Sequence, residues 1–184
     1  HGMVASVQPL ATDAGVRVLK GGGNAIDAAV AVALTLGVVD TDNSGIGGGC
    51  FMLIHRADGS LVAIDGREMA PAAATPDMFI REGKADTTLS QVGALASGVP
   101  GALAAYEFAV THHGKRKLAD LLLPAADLAE KGFPLNAGYA RCLQRVAKDL
   151  ARFESSRAVF FANGKPLAKG AILKQPDLAA TYRS

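Results

Sequence analysis

Tryptophan is absent from this 184-residue sequence, and aromatic residues make up only 5% of it. This scarcity argues against a large aromatic binding platform, and the frequent alanine and glycine favour tightly packed helices and sharp turns. Acidic and basic residues nearly balance, with a formal net charge of +2. The one dense basic run, Lys115-Arg116-Lys117, contains no aromatic residue. We therefore expect no nucleic-acid partner and interpret the run as a solvated loop before a helix.

Cysteine and histidine are also scarce. Cys50 and Cys142 fit no metal-ligand spacing, and they can pair only if the fold brings their Cα atoms within about 7 Å of each other. So few cysteines do not reveal the redox compartment. The four histidines show no zinc-binding spacing, and the adjacent pair His112-His113 is explained by its place at a helix end. We predict no metal site and no cofactor.

Long apolar runs are missing as well. The run from Ala28 to Val39 is shorter than the roughly 20 residues that cross a bilayer, so we predict a buried core helix and no membrane segment. No signal-peptide pattern is present. The sequence begins abruptly at His1, as it would if a targeting segment had been removed.

The pattern of apolar residues predicts alternating helices and short hairpins within one domain. A strand is expected at residues 2–7, then a helix at 9–20 that ends at Gly21-Gly22-Gly23. Asn24 is expected to cap a core helix at 25–38, which is apolar nearly all round. The remaining predicted elements are strands at 51–55 and 61–64 joined at Asp58-Gly59, a polar excursion at 77–91, helices at 102–112, 118–130, 136–150 and 176–182, and a hairpin from 159 to 167 across Asn163-Gly164. Because the last helix starts just as the sequence stops, we expect a fragment.

The glycine clusters and nucleophile candidates fit no familiar catalytic motif. Gly21 to Gly23 lies between two predicted helices, without the Lys-Ser/Thr pair of a phosphate loop. Gly45 to Gly49 precedes a strand, the reverse of the phosphate-binding order, so we expect close backbone packing there. Neither Ser44 nor Ser97 has the G-x-S-x-G spacing. Cys50 leads into an apolar strand, which favours a small buried residue over a nucleophile.

The segment Asp65-Gly66-Arg67-Glu68 carries more specific chemistry. In an extended strand Asp65 and Arg67 share one face and Glu68 takes the other. An arginine at the end of a central strand presents a rigid fork of donors that suits a carboxylate ligand. The alternative is a local ion pair of Arg67 with Asp65 or Glu68, and the residue pattern alone favours this alternative.

The sequence as a whole resembles the γ-glutamyltranspeptidase family. Each matching motif is weak alone, and their order and spacing together are specific. The motifs are GMVAS at 2–6, PLA at 9–11, GGNAIDAAVA at 22–31, SGIGGG at 44–49, FML at 51–53, DGREMAP at 65–71, ASGVPG at 96–101, PA..LAE.GF at 124–133 and L.KG..L.QPDLA near the end.

The resemblance implies an α+β fold, namely the four-layer αββα sandwich of N-terminal-nucleophile hydrolases. Members of the family are precursors that cut themselves into a large and a small subunit. The cut exposes a threonine whose hydroxyl attacks the γ-glutamyl amide while its own amine serves as base. Residues 1–184 would then form a single partial domain, the N-terminal half of the large subunit, without the rest of that subunit or the small subunit.

The resemblance also implies the activity and the site. The full-length protein would transfer or hydrolyse γ-glutamyl groups, as from glutathione, and its partners would be the small catalytic subunit and a γ-glutamyl small molecule. The family's R-E-x-A-P arginine, which holds the substrate α-carboxylate, maps onto Arg67. The resemblance therefore favours carboxylate binding by Arg67 over the local ion pair. Glu68 is assigned a structural role.

No catalytic residue is expected in this chain, which alone should be inactive. His1 has no hydroxyl or thiol, and Thr87-Thr88 lies in no family motif. Bacterial members of the family are commonly periplasmic or secreted.

Two departures from the family pattern leave the subfamily open. Cys50 stands where many relatives have a fourth glycine, and Gln8 stands where many have a histidine before PLA. The same fold also serves cephalosporin or glutaryl acylases and poly-γ-glutamate depolymerases. A non-catalytic homologue is the alternative of a different class.

Overall fold

A computed structural model describes residues 2–184, which fold into two compact units. The first unit holds the described residues up to Gly45 together with Tyr106–Ser184, and the second holds Ile46–Ala105. Helices dominate the first unit, while a β-hairpin and turn-rich segments make up most of the second. The predicted α+β class is confirmed.

The helices of the chain follow the predicted order closely. They are α1 (Pro9–Lys20), α2 (Ala25–Val39), α3 (Ala102–His113), α4 (Leu118–Lys131), α5 (Ala137–Leu150), α6 (Glu154–Phe160) and α7 (Pro176–Arg183). Pro124 lies inside α4. Within residues 2–184, no helix combines the length and the apolar character that crossing a bilayer requires.

Helix α2 forms the core of the first unit, as its apolar sequence predicts. α1 and α4 pack against it, and α7 packs against α4. Val30, Leu34 and Val38 on α2 are fully buried. Each side chain of this size stabilises the fold by about 1.5–3 kcal/mol when it leaves water, so this helix anchors the unit.

The N-terminus of α2 is fixed by a buried carboxylate. Asn24 caps the helix as predicted, and its backbone N–H donates to Oδ2 of Asp27 at 2.8 Å. Asp27 is fully buried, and it also accepts hydrogen bonds from the backbone N–H groups of Lys115 at 3.0 Å and Arg116 at 3.1 Å. The basic run is an exposed loop before α4, as expected, but its main chain is tied to this carboxylate.

The C-terminal helix α7 is held to the unit by polar contacts at both of its ends. Just before it, Gln175 Nε2 donates to the carbonyl of Val38 at 2.9 Å, and near its end the Tyr182 hydroxyl donates to the carbonyl of Leu34 at 3.1 Å. Burial raises the pKa of Tyr182 to about 12, so this hydroxyl keeps its proton at neutral pH. The predicted helix at 176–182 is therefore confirmed as a docked element.

Short strands complete the first unit. Phe133–Pro134 (β5) pairs antiparallel with Ile172–Leu173 (β8), and Phe161–Ala162 (β6) pairs with Lys165–Pro166 (β7). The turn between β6 and β7 contains Gly164 with φ of 74°, so the predicted Asn-Gly hairpin is confirmed. Its first strand was predicted too early, because residues 159 and 160 belong to helix α6.

The second unit is built on the predicted hairpin. Cys50–His55 (β1) and Leu61–Gly66 (β2) run antiparallel, with Cys50 opposite Gly66 and His55 opposite Leu61. A smaller hairpin of Ile80–Arg81 (β3) and Lys84–Ala85 (β4) lies within the predicted polar excursion, and a 3₁₀ turn covers Ala94–Ala96.

One expectation about strands was wrong. Residues 2–7 form no strand, because no other segment of the described chain offers them a ladder of hydrogen bonds. Within residues 2–184, β2 pairs with β1 alone. Arg67 follows directly after β2, at the strand end where the sequence placed it.

Replacing Asp27 with Asn should lower the free energy of unfolding of the full-length protein by about 2–4 kcal/mol. The asparagine amide keeps one acceptor oxygen, but its NH₂ group faces backbone N–H donors. In the unsubstituted protein these donors bond to the second carboxylate oxygen of Asp27. Urea denaturation measures the change. Asp13→Asn, on an exposed position of α1, is the control and should stay within about 0.5 kcal/mol of the unsubstituted protein. Equal effects of the two substitutions would contradict the anchoring role of Asp27.

Candidate functional site around Arg67

Arg67 is the first residue after strand β2, and its side chain is 69% exposed. The guanidinium therefore keeps access to solvent and to a ligand. A planar guanidinium offers paired N–H donors at the spacing of two carboxylate oxygens, so it can bind a carboxylate through two parallel hydrogen bonds. The position and exposure of Arg67 suit such a contact.

The acidic neighbours of Arg67 do not occupy its guanidinium with hydrogen bonds. Asp65 Oδ1 accepts from the backbone N–H of Arg67 at 3.0 Å, so this carboxylate holds the main chain. Glu68 forms an ion pair in which Oε1 lies 4.0 Å from Nε of Arg67, beyond hydrogen-bond distance. An exposed pair of this kind contributes about 0–1 kcal/mol. The local ion pair that we considered is thus present with Glu68, but it is weak.

Two glycines, Gly49 and Gly101, pack closely against the main chain at Arg67 and Glu68, and we call this arrangement the glycine cradle. A Cβ atom at position 49 would lie 2.7 Å from the backbone nitrogen of Glu68 and 2.8 Å from Cα of Arg67. One at position 101 would lie 2.7 Å from the carbonyl oxygen of Arg67. These separations are too short for carbon, so only glycine lets the backbones approach this closely.

Hydrogen bonds fasten the segments of the cradle to each other. Met69 and Val99 form an isolated antiparallel bridge, with N–H···O distances of 3.0 Å and 2.8 Å. The backbone N–H groups of Gly101 and Ala102 both donate to the carbonyl oxygen of Gly48 at 3.1 Å. Arg67 and Glu68 are therefore fixed from both sides, through segments that are distant in sequence.

Sequence reasoning found part of this arrangement. It predicted close backbone packing for Gly45 to Gly49, which holds at Gly49 but not at Gly47 or Gly48, where nothing lies within 4 Å of an added Cβ. Residues 98–101, just before α3, form the second segment of the cradle. Sequence reasoning did not predict that the two segments meet around Arg67. No local pattern signals that meeting, because it depends on contacts across dozens of residues.

The other candidate residues form no site among residues 2–184. Cys50 lies half-buried in β1, and within residues 2–184 Cys50 and Cys142 form no disulfide bond. No cluster of three or more potential metal ligands occurs in the described part of the chain. His112 stacks on Phe108 at the end of α3, with ring centroids 4.1 Å apart, which accounts for it structurally. His1 lies outside the described residues.

Gly49→Ala should destabilise the full-length protein by about 2 kcal/mol, because the new methyl group meets backbone atoms that cannot move aside cheaply. Gly47→Ala is a matched control, since nothing lies within 4 Å of a Cβ at that position. It should be neutral or slightly stabilising. Urea denaturation measures the free energy of unfolding of both variants. Equal stabilities of the two variants would contradict the close backbone packing at Gly49.

Comparison with known proteins places this geometry in a family. The chain is 46% identical to the glutathione hydrolase proenzyme of Bacillus subtilis over 187 residues, which is 99% of this chain and 31% of that protein. It is 41% identical to the acylase ACY 1 proenzyme of Pseudomonas sp. strain SE83, over 100% of this chain and 34% of that protein. The chain thus spans about a third of the length of these curated relatives.

Solved structures agree with the sequence relatives. The γ-glutamyltranspeptidase of Helicobacter pylori superposes with a TM-score of 0.95 at 41% identity, covering 98% of this chain and 52% of that one. The fold predicted from the resemblance is therefore confirmed as that of the γ-glutamyltranspeptidases. The family model described as gamma-glutamyltranspeptidase matches residues 11–184. From the sequence match and the shared fold together, we conclude that this chain belongs to the γ-glutamyltranspeptidase family.

Proposed function

We propose that the full-length protein cleaves and transfers γ-glutamyl groups, and that Arg67 holds the α-carboxylate of its substrate. The observation that carries this proposal is the exposed guanidinium of Arg67 on an immobilised main chain, in a chain that belongs to this family. A carboxylate held by two hydrogen bonds from a planar fork has its orientation fixed as well as its position. The γ-carbonyl, at the other end of the glutamyl group, is thereby directed to one place.

The chemistry itself is assigned to a threonine outside these residues, as the family resemblance implies. Its hydroxyl oxygen forms a bond to the γ-carbonyl carbon, its own amine takes the hydroxyl proton, and the leaving amine receives a proton as the amide bond breaks. Water or the amine of an acceptor then attacks the acyl-enzyme and regenerates the hydroxyl. Arg67 takes no part in bond making, so its role in this scheme is binding and orientation.

The proposal gives this chain a partner. We place residues 1–184 as a single partial domain in the N-terminal half of a large subunit, with the small subunit produced from the same precursor. Large apolar side chains of the β1–β2 hairpin are exposed, namely Phe51, Leu53 and Leu61. Such a patch fits burial against further polypeptide. The chain alone is expected to be inactive, and we propose a periplasmic or secreted location from the family relatives.

An acylase function is the second candidate, because an acylase proenzyme is among the relatives. A glutaryl group has the same terminal carboxylate as a γ-glutamyl group but lacks the α-amine. Arg67 could hold the carboxylate of either, so the two activities differ in the group that binds the amine. Rates on γ-glutamyl-anilide and on glutaryl-amide substrates separate them.

A non-catalytic homologue is tested by the state of the precursor. The proposed function requires self-cleavage, so mass spectrometry of the purified full-length protein should find two chains whose masses sum to that of the precursor. The new N-terminus should be a threonine. A single intact chain under conditions where relatives mature would contradict the proposed enzyme.

Arg67→Ala in the full-length enzyme should raise KM for a γ-glutamyl anilide by a factor of about 30 or more. The expected loss is about 2–5 kcal/mol for one partner of a desolvated carboxylate pair. Arg67→Lys should also bind poorly, because an ammonium cannot reproduce the planar fork. Arg81→Ala, which removes an exposed arginine of the same unit, is the control and should leave KM unchanged. If KM and kcat were both unchanged in Arg67→Ala, the assignment would be wrong.

A further inference from the structure

We infer that Asp65 is a positioning residue for Arg67, and that it acts through a hydrogen bond to the main chain of Arg67. This inference rests on the proposed role of Arg67 in binding the substrate carboxylate. The juxtaposition that carries it is the 3.0 Å contact from the backbone N–H of Arg67 to Oδ1 of Asp65.

The hydrogen bond lies where the strand can no longer supply one. The ladder between β1 and β2 ends at the pair Cys50–Gly66, so the N–H of Arg67 is the first beyond the sheet. An aspartate two residues earlier can accept such an N–H through its side chain and thereby sets the direction in which the chain leaves the strand. Asp65 fills this role for the backbone N–H of Arg67.

The remaining main-chain atoms of Arg67 are fixed by other contacts. Gly49 packs beside its Cα atom, and Gly101 packs beside its carbonyl oxygen. Two residues further on, Met69 is bonded to Val99. Asp65 supplies the restraint on the nitrogen. The backbone of Arg67 is therefore restrained at its nitrogen, its Cα atom and its carbonyl oxygen although its side chain is exposed, so a ligand need order only the side chain.

The same hydrogen bond gives the Asp65 carboxylate a partner other than the guanidinium. A carboxylate bonded to the guanidinium would compete with an anionic substrate for the same donors. With Oδ1 engaged by the main chain, Asp65 directs Arg67 and leaves its fork to the ligand. This explains why an acidic residue can stand two positions before an arginine that is assigned to bind an anion.

Two substitutions separate the hydrogen bond from the charge. Asp65→Ala and Asp65→Asn both remove the negative charge, but only Asn keeps an oxygen that can accept from the N–H of Arg67. A difference between the two variants therefore reports the hydrogen bond. Asp58 offers a matched control in the same hairpin, because its Oδ1 accepts from the backbone N–H of Ser60 at 2.9 Å, again two residues on.

The experiment measures KM and kcat of the full-length enzyme with a γ-glutamyl anilide. Asp65→Ala should raise KM about fivefold, the size of one neutral hydrogen bond, with kcat changed less than twofold. Asp65→Asn should restore KM to within about twofold of the unsubstituted enzyme. Asp58→Ala should leave KM unchanged. In Asp65→Ala/Arg67→Ala, KM should equal that of Arg67→Ala, because residues that act through each other are not additive.

Several outcomes would overturn the inference. They are an unchanged KM in Asp65→Ala, an equal rise in Asp65→Asn, or effects of the Asp65 and Arg67 substitutions that multiply in the double variant. If Asp65→Ala does not fold, Asp65→Val replaces it, since valine suits a strand and lacks the acceptor. If Arg67→Ala itself leaves KM unchanged, the proposed function fails and this inference fails with it. If Arg67→Ala raises KM and Asp65→Ala does not, only the inference fails.

Discussion

The approach of backbone to backbone around Arg67 is the constraint on which the account of this site depends. At positions 49 and 101 no Cβ fits, because it would come within 2.8 Å of main-chain atoms of residues 67 and 68. The solvent-exposed side chain of Arg67 is thus attached to an immobilised main chain. For an arginine, whose flexibility makes ordering costly, this lowers the entropy lost on binding to that of the side chain alone.

The two acidic neighbours show how a charged motif can serve geometry. Asp65 and Glu68 flank Arg67, and the residue pattern alone favoured a local ion pair. In the structure Asp65 bonds to the backbone, and Glu68 stays 4.0 Å from Nε. Because exposed ion pairs contribute little, the Glu68 contact does not compete strongly with a carboxylate ligand. The first unit offers a parallel in Asp27, whose carboxylate also binds main-chain donors.

Local patterns predicted what depends on local interactions. The apolar run of α2, its Asn24 cap and the Asp58-Gly59 turn each encode an element within a few residues, and the structure has all three. Helix α6 (Glu154–Phe160) was not predicted, because the β-prone residues at 159–161 overlap its end and favoured a strand there. Residues 2–7 were predicted as a strand from composition alone, and a strand also needs a partner.

The site was predictable only in part for the same reason. Arg67 could be selected from its motif and the family resemblance, and its place at a strand end could be anticipated. Gly49 and Gly101 pack against the main chain of Arg67 although they lie far from it in sequence. No sequence periodicity indicates this contact. The burial of Asp27 against the backbone of Lys115 and Arg116 is hidden in the same way, because an aspartate in the first turn of a helix is usually exposed.

The most direct test of this account is a crystal structure of the full-length protein with bound glutamate. We predict that the guanidinium of Arg67 lies within about 3 Å of both oxygens of the α-carboxylate, with Asp65 still bonded to the backbone N–H of Arg67. A bound glutamate whose α-carboxylate is held by other groups, while the Arg67 side chain is turned towards Glu68 or Asp65, would contradict it.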